Sequence, residues 1–248
     1  MMNVANRIHL NQTNSTNTYL KELLMSGVEL PELTLVDADS QPKGRGQAGN
    51  SWESQDGENL TFSWLCHPSF VSADNQFILS QVVALAVQST LSEFVDDVTI
   101  KWPNDIYWKD KKICGILIEC TLAGSSVKDC IMGVGVNVNQ KKFYSDAPNP
   151  VSLAQIVGLT FNREVVLEKL TDKFNYYYDM LKSGKSSDLV AEYKNNLYRK
   201  TGFYDYCEPD GVPFSAEYVD VLKSGHLVLK DDKGVIREYE LKQVRFII

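Results

Sequence analysis

At 248 residues the chain has room for one large domain, or for a larger domain with a small one appended. Its 44% apolar and 23% charged residues are those of an ordinary folded protein, and a formal net charge of −7 argues against any role that rests on a broad basic surface, such as non-specific binding of nucleic acid or anionic membrane. The first ten residues lack the basic start and apolar core of a signal peptide, and no apolar run approaches the roughly 18 residues of a membrane span, so a cytoplasmic location is expected.

Ser15-Thr16-Asn17 stands before a run, from Thr18, with apolar residues at helical spacing that ends at Gly27, so this polar stretch is first of all a helix N-cap. A helix start also suits a polar ligand, and the two readings are compatible. A short β-like run, 33–37, leads into Gln41-Pro-Lys-Gly44-Arg45-Gly46-Gln47-Ala48-Gly49, with Trp52 close behind. Three glycines in six residues let backbone approach an anion closely while Arg45 offers a planar fork of donors; the same residues also suit a solvated hairpin tip. Residues 59–66 alternate as a strand, and 77–94 carry an apolar face broad enough for a helix covered by a sheet.

Lys101-Trp-Pro-Asn104-Asp105 opens a β-like run, and Lys111 and Lys112 lie in the turn to the next. Proline donates nothing to a sheet ladder, so Pro103 marks a break or bulge where side chains are re-aimed. An Asp near paired lysines also describes an ordinary solvated hairpin. Residues 130–139 form a third β-like run with Gly133, Gly135 and Asn137, and glycine within a strand signals either a bulge or a close neighbour. Helices are expected near 151–158, 163–182 and 186–198, and from residue 200 short strands with Gly-containing turns suggest a small β-barrel or sandwich. Cys66, Cys114, Cys120, Cys130 and Cys207 lack CxxC spacing and read as free thiols. Gly184-Lys-Ser in a helix-to-helix turn lacks the spacing of a P-loop.

Taken in order, Ser15-Thr16-Asn17, Gln41 with 44–49 and Trp52, 101–105, Lys112 through Glu119 and Gly133-Val-Gly-Val-Asn137 resemble the biotin protein ligase family. The resemblance is close over 15–137 and looser beyond. It implies an α+β fold of the class II synthetase-like kind, a mixed sheet with packed helices over 1–198 and an SH3-like β-barrel over 199–248. It also implies ATP-dependent activation of biotin to biotinyl-5′-AMP, with Mg2+, followed by transfer to a lysine of a biotin carboxyl carrier protein or domain.

The residues take roles by the same resemblance. Ser15, Thr16, Gln41 and Gly44 meet biotin, and the backbone near Gly115 and Gly133 lines its slot. Lys112 lies between the biotin carboxylate and the α-phosphate, and Arg45 grips the same anionic region. Gly46, Trp52, Asn104 and Asn137 belong to the ATP or adenylate end, with Trp52 on the adenine. Asp105 is assigned to the metal and phosphate region and to the incoming lysine. Many relatives carry further basic residues where this chain has Gln47 and Ala48. Because the first motif starts at residue 15, no winged helix-turn-helix is expected before it, and so no DNA partner. A homodimer is expected through an exposed edge at strand 130–139. The alternative of the same fold is a lipoate or octanoate ligase or transferase, against which the 44–49 loop and the 133–137 strand favour biotin. A binding module without turnover is opposed by the joint presence of Arg45, Lys112 and Asp105.

Overall fold

The computed structural model describes residues 6–248, the Ala48 side chain aside. Seven strands form the first sheet: β1 (Arg7–Gln12), β2 (Thr34–Ser40), β3 (Leu60–Cys66), β4 (Val98–Lys101), β5 (Asp105–Trp108), β6 (Lys111–Ala123) and β7 (Ser126–Val136). Their spatial order is β1-β2-β3-β7-β6-β5-β4, parallel only between β1 and β2. The expected edge at 130–139 is therefore overturned. Strand β7 lies inside the sheet, hydrogen-bonded to β3 on one side and β6 on the other, and has no free ladder to offer a second copy. The two edges are β1 and β4.

The sheet has two different faces because side chains alternate along each strand. Leu60, Phe62, Trp64 and Cys66 of β3 and Met132, Val134 and Val136 of β7 point to a layer made of α2 (Phe77–Leu91), α4 (Arg163–Lys182) and α5 (Ser186–Asn195). Helix α2 is apolar nearly all round, as a helix covered by the sheet on one side and by α4 and α5 on the other must be. Trp64 stacks on Phe174 of α4 at 4.1 Å between ring centres. On the opposite face α1 (Thr16–Met25) covers one end, where Leu20 packs with Val36, Leu65 and Ile131. The rest of that face is left to the loops.

A short helix α3 (Leu153–Val157) carries a complete capping box, Ser152 with Gln155. The C-terminal unit is an antiparallel sheet of β8 (Phe203–Cys207), β9 (Pro213–Val221), β10 (Leu227–Asp231), β11 (Ile236–Tyr239) and β12 (Arg245–Phe246). Its order is β11-β10-β9-β8-β12, and among the described residues no ladder joins β11 to β12, so the expected barrel is not closed by strand pairing. The Trp102 indole N–H donates to the Gly225 carbonyl at 2.8 Å, and Gly225, at φ +92°, lies against the Phe77 ring. These contacts tie the second sheet to the 101–105 segment and to the start of α2.

Candidate active site

The uncovered face of the sheet is floored by backbone. Gly115 pairs with Gly135, and Leu117 with Gly133, in a register that runs unbroken from Cys120–Cys130 to Cys114–Val136. The β6–β7 ladder has no bulge at these glycines and none of them has a positive φ, so neither a bend of that ladder nor a turn explains them. Space does. A Cβ on Gly133 would fall 2.2 Å from Asn17 Oδ1, one on Gly135 2.4 Å from the Trp52 ring, and one on Gly115 2.8 Å from the same ring. Asn17 and Trp52 thus lie flat on the sheet at its two ends.

Above this floor is a cavity of about 720 Å3, within the range of small-molecule sites. One end is polar and closely linked. Gln41 Oε1 accepts from the Thr16 amide at 2.6 Å, so the α1 terminus is capped from the glycine-rich loop, while Ser15 makes no capping bond. The N-cap expected within 15–17 falls on Ser15: its extended backbone starts the helix, while its side chain makes no capping bond and is left on the cavity wall. Thr16 Oγ1 and Ser63 Oγ lie 2.6 Å apart, Ser63 Oγ donates to Asn17 Oδ1 at 2.6 Å, and the Asn17 amide donates to Glu119 Oε2 at 2.8 Å. Arg45 closes the chain with a 2.9 Å bond to Glu119 Oε1 and a longer one to Thr18 Oγ1. Burial alone would raise the Glu119 carboxyl, but the bonds from Asn17 and Arg45 outweigh it and hold that group below the usual carboxylate range.

Lys112 and Asp105 stand at the middle of the cavity with Nζ and Oδ1 2.7 Å apart, both half-buried. The break at 102–104 makes this possible: β4 stops at Lys101, β5 restarts at Asp105, and the two residues face each other in register. Among the described residues no carboxylate is within ion-pair distance of Lys101, which lies against the Tyr107 and Phe246 rings, where burial lowers the pKa of its ammonium. Lys112 Nζ is also 5.7 Å from the Trp52 ring centre.

The far end carries two orphaned groups. Among the described residues the buried Trp52 Nε1 has no partner, and Asn137 spends its amide N–H on the Val151 carbonyl while its Oδ1 accepts no bond. A buried donor and acceptor left open beside one cavity call for a ligand with complementary edges.

Of the residues singled out in the sequence, Ser15, Thr16, Gln41, Arg45, Gly46, Trp52, Asp105, Lys112, Gly115, Gly133 and Asn137 line this one cavity. Gly44 and Asn104 do not. Gly44 is buried under the Trp52 carbonyl, to which an added Cβ would come within 2.5 Å, and it shapes the loop rather than the wall. Asn104, 3% exposed, donates to the Ile116 carbonyl and braces the β4–β5 break. The donor set does not fit a resident metal: Asp105 is ion-paired to Lys112, and among the described residues no group of three His, Cys, Asp or Glu side chains is arranged to hold an ion. Sequence reasoning missed Glu53, Tyr107 and the segment 143–150, which form much of the remaining wall. Asn17 and Glu119 stand inside the motifs but carry no role by the resemblance. Segment 143–150 has neither periodicity nor motif, so nothing in the sequence marked it.

A family model described as the Biotin/lipoate A/B protein ligase family matches residues 10–137, just over half the chain. The chain belongs to that family. Among curated relatives of this ligase family, the bifunctional ligase/repressor BirA of Bacillus subtilis is 35% identical over 154 residues, 60% of this chain and 46% of that protein. The biotin–[acetyl-CoA-carboxylase] ligase of Mycobacterium tuberculosis is 30% identical over 163 residues, 64% of this chain and 59% of that one. The match thus spans about half the length of these relatives. A solved biotin protein ligase from Aquifex aeolicus, in complex with biotin and ATP, superposes with a TM-score of 0.80 at 26% identity, covering 98% of this chain and 99% of that one. The α+β class, with a mixed helix-covered sheet and a C-terminal β unit, is that of the biotin ligase fold.

Proposed function

We propose that this protein joins biotin to a lysine of a biotin carboxyl carrier domain, through biotinyl-5′-AMP, at the expense of ATP. The observation that carries the reading is the Lys112–Asp105 pair at the junction of a closely hydrogen-bonded end, Thr16 to Arg45, and an end with an open acceptor and an indole, Asn137 and Trp52. The named complex of the Aquifex protein with biotin and ATP supports the same pairing of ligands. Biotin occupies the first end and the adenine the second, which brings carboxylate and α-phosphate together at Lys112.

Two anions must meet there, and a fixed ammonium lowers that repulsion before reaction begins. A biotin carboxylate oxygen bonds to the α-phosphorus as the bond to the pyrophosphate oxygen breaks. Magnesium enters with the nucleotide, as part of the substrate. In the second step the acceptor's ε-amine attacks the acyl carbon and AMP leaves; Asp105, already orienting Lys112, faces that amine and takes up its proton. The acceptor is the carrier domain of an acetyl-CoA carboxylase or a related carboxylase, in line with the name of the Mycobacterium relative.

Purified protein incubated with MgATP and either biotin or lipoate tests this by mass spectrometry of the products. Biotinyl-AMP formed at least about tenfold faster than lipoyl-AMP is the expected result. A preference for lipoate, or no adenylate with either acid, refutes the reading.

A further inference from the structure

Glu53 follows Trp52 directly and turns away from the floor to hold a second piece of chain. Its Oε1 accepts from Gln140 Nε2 at 2.9 Å and from the Tyr144 amide at 2.9 Å, and its Oε2 accepts from the amides of Tyr144 at 3.0 Å and Ser145 at 2.7 Å. Burial would raise this carboxyl, yet the bonds from Ser145, Tyr144 and Gln140 bring it below the usual range. Gln140 is itself 1% exposed, and its Oε1 accepts from the Gln55 amide and from Asn59 Nδ2. The segment from Phe143 to Pro150 has no helix or strand of its own and forms one wall of the cavity. At its other end it is tied to the backbone of Lys112, whose N–H donates to the Asn149 carbonyl at 2.8 Å and whose carbonyl accepts from Val151 at 2.9 Å. The wall therefore hangs between the Glu53 carboxylate at one end and, at the other, the backbone of Lys112 and the Asp110 carbonyl, which accepts from the Asn149 side-chain amide.

We propose that Glu53 is a positioning residue that makes the glycine-rich loop and the 143–150 wall move as one body, so that the Trp52 ring and the wall close together on the nucleotide end of the cavity. A carboxylate accepting two consecutive backbone amides links the segments more firmly than any apolar contact between them, because the 143–147 backbone has no ladder partner to replace those bonds. The inference rests on the biotin ligase reading only for the identity of the ligand at the Trp52 end.

The test uses hydrogen exchange on the whole chain without ligand, and steady-state kinetics beside it. Glu53→Ala is expected to speed exchange at Tyr144 and Ser145 by about tenfold or more, and also to speed exchange across 44–50, whose amides Glu53 does not touch. Exchange in β8 to β10 stays unchanged. In turnover the KM for ATP rises by about tenfold while the KM for biotin moves by less than about twofold; Glu53→Gln, which keeps shape and acceptor oxygen, falls between wild type and alanine. Should Glu53→Ala fold poorly, Glu53→Gln carries the comparison. Faster exchange confined to 144–145 reduces Glu53 to a local anchor and overturns the proposal, as does a parallel rise in both KM values. Unchanged exchange in a variant of an enzyme that makes biotinyl-AMP removes the clasp and leaves the reaction standing. Absence of biotinyl-AMP from the wild type removes the reaction and leaves the exchange result to decide the clasp.

Discussion

Lys112 and its neighbour Lys111 differ by one position and by everything that surrounds them. Lys111 is exposed on β6, whereas Lys112 points over Gly115 to Asp105. Lys112→Ala is expected to slow pyrophosphate release by on the order of 100-fold, the value of a preorganised cation beside developing phosphate charge, while Lys111→Ala changes it little. Equal effects in the two variants would rule out Lys112 as the reacting-centre cation. Gly133→Ala makes the opposite kind of change. Its new methyl meets the Asn17 amide, so Asn17 must swing off Glu119 and Ser63, and biotin binding measured by calorimetry should weaken by about tenfold or more while the fold survives. The motif residues on this cavity were legible because the motifs, each common alone, stand together in one order and at one set of spacings. Asn104 misled because a motif position says nothing of which way a side chain faces; here it faces the Ile116 carbonyl.

At the scale of elements, the strands and long helices followed from periodicity, and the Pro103 break fell where the ring removes a ladder donor. The neighbours of β7 did not. A strand carrying two glycines reads as weak and peripheral, yet it is central because those glycines serve a ligand face and not the ladder. The loop between β2 and β3 is the element whose behaviour should change most with ligand. Its own backbone bonds are few, among them Gly46 N–H to the Asn50 carbonyl and Trp52 N–H to the Gly44 carbonyl, and its side-chain ties include Gln41 to the Thr16 amide, the half-exposed Arg45–Glu119 pair and Glu53 to 144–145. Adding biotin and MgATP should slow amide exchange across 39–52 several-fold, with smaller changes in 203–246. Identical protection with and without ligands would mark the loop as a rigid scaffold.

At the scale of the molecule, the first sheet is stitched at its β1 edge by charge. Asp37 accepts from Arg7 Nε at 2.7 Å and Nη2 at 2.9 Å, and lies 2.7 Å from His9 Nδ1, while Arg7 also bonds Glu164 at the start of α4. Burial raises the Asp37 carboxyl, and these partners more than reverse that, so its folded pKa lies below the ordinary 3.8. A depressed carboxyl contributes stability that is complete above its unfolded pKa and is lost as pH falls through the folded one. Asp37→Asn should therefore cost about 2 kcal/mol in urea unfolding at pH 7, with the difference from wild type shrinking below about pH 4. A difference that stays constant down to pH 3 would mean that the charge of Asp37 is not what stabilises this edge. Among the described residues no helix is long and apolar enough to cross a membrane.

The glycine floor has a consequence for how such a site is damaged. Enzyme sites are usually mapped by trimming side chains, and at Gly115, Gly133 and Gly135 there is nothing to trim. These positions fail only when matter is added, so an alanine scan that treats alanine as the neutral residue would score its most injurious changes at the places where it enlarges the residue. Every substitution at those three positions adds matter and should be injurious, whereas the polar rim of Ser15, Gln41 and Asn137 admits graded loss. A binding surface of this kind is written in absent atoms, and its sequence record is the smallness of three residues.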